Sequence, residues 1–287
     1  MKKLLAFLLL PLAAGIHGEQ NRYLQENPAD NSGMVRINGG TFLRGSPPGE
    51  SGRSANEGPQ HRVNVSSFYI GRFPVTQAEF ERVMGTNPSQ FRGPNLPVEN
   101  INWFDAIAFA NAKSKIAGLT PAYTVSGTNV TWNRAANGYR LPTEAEWEFA
   151  SRAGTQTPFH SGNTIGMAGW HSGNSGGRTR PVGERQPNAW GLYDMHGNVL
   201  EWSWDWYGPY SSAELTDPQG PATGTRRVYR GGSWRWGPEM ARSAFRFGQF
   251  PHIRQNFFGF RIARSVDYSA DSDDSAEEPK TADAASQ

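Results

Sequence analysis

The 287-residue chain contains no cysteine. That absence excludes disulfides, thiolate metal sites and cysteine nucleophiles together. It leaves the compartment open, because a reduced cytoplasm and disulfide-free export both fit. Net charge is nearly absent too: 28 basic and 26 acidic residues leave +2. Apolar runs are missing outside the N-terminus, no internal repeat is visible, and residues 154–264 show almost no helical period. His61, His160, His171 and His196 are not spaced as a metal pair on a helix, so no histidine zinc site is expected.

What is present is glycine (33), proline (20) and tryptophan (10). This favours a loop-rich architecture held by large aromatic side chains rather than a helical bundle. The length suffices for one large domain or two small ones with a sizeable core. The start, "MKKLLAFLLLPLAAGIHG", has a basic end, an apolar run and small residues at Ala13, Ala14 and Gly15. It reads as a signal peptide over residues 1–18, too short for a spanning helix. Gly15 and Ile16 stand where a lipoprotein cysteine would follow "LAA". The expectation is export to the cell surface, periplasm or outer membrane of a bacterium, with any membrane attachment through the N-terminus alone. Residues 19–33 read as a linker and 266–287 as a disordered acidic tail.

Between them, 34–265 reads as one domain. "MVRINGGTFLRGS" suggests two short strands around Gly39-Gly40, and 61–76 a strand pair entering a helix. Thr76 and Glu79 form a capping-box pattern opening a helix that Gly85 stops. Asn102 is placed to cap a helix over 103–117. Thr143 and Glu146 form a second box, opening a helix that Gly154 ends. Glu79 and Glu146 are therefore read as structural, not catalytic. "GNSGG" (173–177) has the look of a serine-protease nucleophile loop, but it lacks an acidic second residue and a matching histidine context, so it reads as a glycine turn.

Six motifs in order, "MVRINGGTFLRGS", "PVTQAEF", "PVENINWFDAIAFANA", "YRLPTEAEWEFASRAG", "PNAWGLYDMHGNVLEWSWDWYG" and "RVYRGGSW…RSAFR…GFRIARS", resemble a formylglycine-generating-enzyme-type (sulfatase-modifying factor) domain. The resemblance implies an α+β, C-type lectin fold with a small twisted antiparallel sheet, flanking helices and much irregular structure. The founding enzymes oxidise a substrate cysteine with two copper-binding cysteines. Here Met240, Ala241 and Ser243 occupy that region, so no copper is expected. Another branch uses non-haem iron held by histidines of an extra domain that has no match in this sequence.

The C-terminal frame is most similar to variable proteins of diversity-generating retroelements, in which error-prone copying at template adenines changes codons between fixed residues. The resemblance implies a variable region at about 226–264. The expected face comprises Arg235, Trp236, Phe245, Phe247, Phe250, His252, Ile253, Gln255, Phe257 and Phe258. Arg230, Arg242, Arg246, Arg254 and Arg261 would be frame, with Glu144, Glu201 and Asp205 as candidate partners. The resemblance also implies a structural calcium site with carboxylates from Asp194 and Glu201 and backbone carbonyls from Gly197 and Val199. The competing reading pairs those acids with Arg230 or Arg242.

The expected function is that of a monomeric, non-catalytic, receptor- or adhesin-like protein whose partner is a protein or other macromolecule. Two rivals stay open. One is a sulfatase-modifying-type oxidoreductase with lost or changed chemistry. The other is a nucleic-acid binder, prompted by nine arginines against one acid between Arg226 and Arg264.

Overall fold

A computed structural model of the protein describes residues 33–266. The expected signal peptide, nearly all of the linker and the acidic tail lie outside the described residues.

The chain opens with β1 (Met34–Ile37), β2 (Gly40–Arg44), β3 (His61–Val65) and β4 (Phe68–Gly71). The strand pair expected over 61–76 does not form, because β3 and β4 join different sheets. β2 pairs antiparallel with β3, whereas β4 lies between β1 and a late strand, β14, described below. The turn after β3 therefore moves the chain from one sheet to the next.

Three helices follow the caps. In α1 (Gln77–Met84) the Thr76 hydroxyl accepts from the Glu79 N–H, and Gly85 takes the left-handed turn (φ 72°) that ends it. The Glu79 carboxylate leaves the expected box and pairs with Lys113 at 2.6 Å instead. In α2 (Trp103–Ile116), Asn102 and Asp105 form a reciprocal box. The β5 (Tyr123–Ser126) and β6 (Asn129–Trp132) hairpin precedes α3 (Glu144–Arg152), which Thr143 and Glu146 cap reciprocally. Ala153, not Gly154, is the first left-handed residue after it (φ 44°).

Every residue of α3 is buried, including Glu144, Glu146, Glu148 and Arg152. Its apolar side, Ala145, Trp147 and Phe149, packs in one core cluster with Val63, Phe68, Ile70 and Met195. Its carboxylates point into polar surroundings that only buried cations can satisfy. Glu146 takes Arg140 at 2.7 Å and Glu148 takes Arg152 at 2.8 Å. Glu144 takes Arg44 and Arg246, each at 2.6 Å.

Beyond α3 come β7 (Gly169–Trp170), β8 (His196–Gly197), β9 (Leu200–Trp206) and β10 (Leu215–Thr216). The C-terminal stretch adds β11 (Arg227–Arg230), β12 (Arg246–Gln249), β13 (Phe258–Gly259) and β14 (Ala263–Ser265). The largest sheet has the order β12-β11-β9-β13. It is antiparallel except for β13, which runs parallel to β9. The sheets are small and mixed rather than purely antiparallel, since β10 on β3 and β7 on β8 are parallel too. Gly197 in β8 has φ 102°, and a Cβ there would run into the Trp170 carbonyl oxygen of its neighbouring strand. Glycine is needed at that crossing both for its backbone angle and for its lack of a side chain.

Candidate functional site: the C-terminal aromatic face

The segment 226–264 is built on alternation. In β12 Arg246 is buried, Phe247 exposed and Gly248 buried. In β11 Val228 and Arg230 are buried while Tyr229 between them is half-buried. Tyr229 stands directly opposite Phe247 in the ladder, so both present the same side of the sheet.

The inward members form the frame. Arg230 is wholly buried, pairs with Glu148 and donates to the Phe245 carbonyl. Arg242 reaches Glu50 at 2.6 Å and Glu57 at 2.5 Å. Arg246 grips both oxygens of Glu144, with Nε at 2.6 Å and Nη2 at 2.9 Å, and donates to the carbonyls of Asn56 and Gly208. Burial works against charge on Glu144, but Arg246, Arg44 and Arg230 hold its carboxyl well below the usual range. Asp205, expected as an arginine partner, instead accepts the Glu144 N–H. Burial first, then the Glu144 charge, pushes it up to about 7. Arg227 sits 3.4 Å from the Trp206 ring centroid and 3.9 Å from that of Trp103. Burial lowers it to about 9. Arg254, paired with Asp105, is the exposed member of the expected frame.

Five of the nine arginines in this segment, Arg227, Arg230, Arg242, Arg246 and Arg261, are therefore buried. They are unavailable to phosphates, and the basic stretch is not a nucleic-acid surface of nine charges.

The outward members divide the expected face. Phe247 and Phe250 are 43% and 41% exposed, and His252 and Gln255 are exposed beside them, with Ile253 half-buried. Phe247 lies against Tyr207 (5.7 Å between centroids) and Tyr229 (6.1 Å). Phe250 stacks on His252 at 5.9 Å, and Arg226 lies over the Phe250 ring at 5.2 Å. Exposed Arg235 sits over Phe257, which meets half-buried Trp236 edge-on at 4.6 Å. Phe257 itself is buried, with 8% exposure.

Phe245, Phe257 and Phe258 are corrections to the expected face: all three are buried. Phe258 stacks on Trp202 at 4.7 Å and meets Tyr229 edge-on, so its ring is core. Tyr207, Tyr229 and Arg226 were not expected and do belong to the face. The period-2 alternation Val228-Tyr229-Arg230 is the signal that would have placed Tyr229 there.

The loop holding this face is fixed from behind. Trp103 N–H donates to the Pro251 carbonyl at 3.0 Å, and Asn100 N–H to that of Gln255 at 3.0 Å. The irregular backbone is thus hydrogen-bonded to the α2 entry, and at Phe257 to Leu200 of β9.

The expected calcium set does not fit. Glu201 is fully buried, and its oxygens accept from Arg261 Nε (2.6 Å), Arg261 Nη2 (2.8 Å) and Trp147 Nε1 (2.7 Å). A carboxylate committed to a guanidinium and an indole N–H does not offer the free oxygens of a calcium shell. Arg261 is its partner, rather than Arg230 or Arg242. Asp194 accepts from Gly183 N–H and Asn198 Nδ2, and burial pushes it up to about 6. With Glu201 taken, Asp194, Gly197 and Val199 are read as a turn stabilised by hydrogen bonds. Among the described residues no three His, Asp or Glu side chains converge on a metal position. In the "GNSGG" turn, the buried Ser175 hydroxyl donates to the Trp234 carbonyl and accepts from the Gly177 N–H, bonds that hold the turn.

A family model for the sulfatase-modifying factor enzyme 1-like domain matches residues 20–266. The chain belongs to this family. Among solved structures, it is similar to variable protein 1 of Treponema denticola, with a TM-score of 0.75 and 34% identity over 81% of this chain and 95% of that one. Its fold is accordingly the C-type lectin fold of the formylglycine-generating-enzyme type. A curated relative is the chaperone protein LppX of Paenibacillus barcinonensis, 33% identical over 82% of this chain and 89% of the relative. Another is the formylglycine-generating enzyme of Streptomyces coelicolor, 31% identical over 85% and 93%. The chain is thus similar both to a variable protein and to enzymes.

Proposed function

We propose that the chain is an exported, non-catalytic ligand-binding protein that displays a diversifiable aromatic face on a rigid scaffold. One observation carries this reading: in a single segment Arg230, Arg242, Arg246 and Arg261 are buried and paired with internal acids while Phe247 and Phe250 stand open. Fully burying such a ring contributes about 1.5–3 kcal/mol, so two neighbouring exposed rings forgo a sizeable gain. Aromatic side chains backed by a rigid support and flanked by Arg226 are what protein-binding hot spots favour. The similarity to a variable protein supports the same reading.

The enzymatic alternative is disfavoured by chemistry. The copper site that the formylglycine-generating resemblance implies needs two thiolates, and the sequence has none. The test has two arms. Purified protein supplied with copper and a cysteine-containing sulfatase-motif peptide is expected to form no aldehyde, and turnover would replace this reading with the enzymatic one. The gene is expected to have beside it a near-copy of its final coding segment, differing at adenines, with a reverse transcriptase nearby. Without such a copy the face is not diversified by that route.

A further inference from the structure

A second feature lies between the loop 92–96 and the stretch 178–181, which a backbone hydrogen bond from Val182 N–H to the Asn95 carbonyl ties together at 2.9 Å. They enclose a cleft of about 330 Å³. A water takes about 30 Å³ in the liquid, so this space suits a compact polyatomic group. Its lining includes three arginines, Arg92, Arg178 and Arg180, and no acidic residue.

Most of the buried arginines are arranged differently. Arg44, Arg140, Arg152, Arg230, Arg242, Arg246 and Arg261 each sit within ion-pair distance of an acid. None of the three cleft arginines forms such a pair among the described residues. Arg92 donates to the Asn87 carbonyl at 2.7 Å, and Arg180 Nε donates to the Ser175 carbonyl at 2.6 Å. Exposed Arg178 lies 5.6 Å from the Phe91 ring centroid. Glu99, the acid whose charge senses Arg92, is buried and accepts the Phe91 N–H rather than a cleft guanidinium, and burial pushes it up to about 7. Thr179, also lining the cleft, is fully buried, and its Oγ1 has no hydrogen-bond partner. Buried hydroxyls are rarely left unpaired.

Three unneutralised cations around one cleft call for a multivalent oxyanion. Guanidinium forks match the paired oxygens of a phosphoryl or sulfuryl group, and charge-assisted bonds to it are strong. We infer that this cleft binds a phosphate- or sulfate-bearing group. Its position links it to the C-terminal segment: Phe91, beneath Arg178, meets Trp234 edge-on at 5.4 Å, and the Trp234 indole N–H donates to the Asn256 carbonyl at 3.0 Å. Anion binding here stands independently of whether the aromatic face binds a ligand.

The test titrates the protein with inorganic phosphate, inorganic sulfate and methyl phosphate at constant ionic strength, read by calorimetry and thermal shift. Saturable binding is expected for the wild type and for Arg62→Gln, which removes an exposed arginine outside the cleft lining. Arg92→Gln with Arg178→Gln is expected to weaken it at least tenfold. Arg178→Gln alone, which loses only an exposed ring contact, serves as the variant certain to fold and is expected to weaken binding severalfold. Tighter binding of methyl phosphate than of the inorganic ions assigns the group to an esterified ligand, and the reverse order assigns a free ion. No saturation, an equal effect of chloride, or an equal loss in Arg62→Gln would overturn the inference.

Discussion

Replacing Arg261 by methionine tests the idea of a rigid frame most directly. Arg261 is wholly buried, and its guanidinium donates twice to Glu201, once to the Gly71 carbonyl (3.0 Å) and once to that of Tyr193 (3.0 Å). Methionine preserves much of the volume but leaves Glu201 charged in a dry site. Breaking a buried pair from one side costs about 3–5 kcal/mol. The two abandoned carbonyls add to this, although not independently. Taking about 4 kcal/mol, and about 2–4 °C per kcal/mol for a domain of this size, thermal unfolding should drop by roughly 8–16 °C. Total stability is typically about 5–15 kcal/mol, so the variant should still fold at room temperature. The comparison is Phe247→Ser with Phe250→Ser, whose rings are already two-fifths exposed. Surface changes of this kind should cost about 1 kcal/mol or less. Adding Glu201→Leu to Arg261→Met removes the stranded charge and should recover much of the loss, short of about 1–3 kcal/mol for the orphaned Trp147 N–H. Circular dichroism melts at neutral pH read all four proteins. If Arg261→Met melts within 3 °C of wild type, or the serine variant falls as far, the division into frame and face is wrong.

Two further outcomes follow. Phe258→Ala should destabilise by about 3–5 kcal/mol because it empties the space against Trp202, whereas Phe247→Ala should cost no more than about 1; chemical denaturation midpoints would separate them. Asp205→Asn should gain on the wild type as pH rises. Burial raises the folded-state value of Asp205 to about 7, above the unfolded value of 3.8, so the folded protein holds the extra proton and loses stability as pH climbs between them. The melting-temperature gap should widen from pH 4 to pH 7 and level above it, and a gap constant across that range would refute the assignment.

Local chemistry was legible where its partners were close in sequence. Asn102 with Asp105 and Thr143 with Glu146 announced their helices because a capping box closes within one turn. The Thr76 box was only half right, since Lys113, 34 positions away from Glu79, competes for that carboxylate. Strand pairing was misjudged for the same reason. Nothing near Ser66 or Ser67 indicates that β4 joins β14 at the other end of the chain.

Composition and motif order by themselves determined that thiolate chemistry is impossible, which family the domain resembles, and which arginines recur as frame. They could not determine which rings face outward. Phe245, Phe247, Phe257 and Phe258 are chemically equivalent in the sequence, and the segment keeps no single period long enough to assign sides. Only the tertiary structure made that choice, through register: β11 opposite β12 turns Arg246 in and Phe247 out, while β13 beside β9 lays Phe258 on Trp202. It also reassigned Glu201, because a buried carboxylate takes the cation that folding brings to it, and Arg261 lies 60 residues away in the chain.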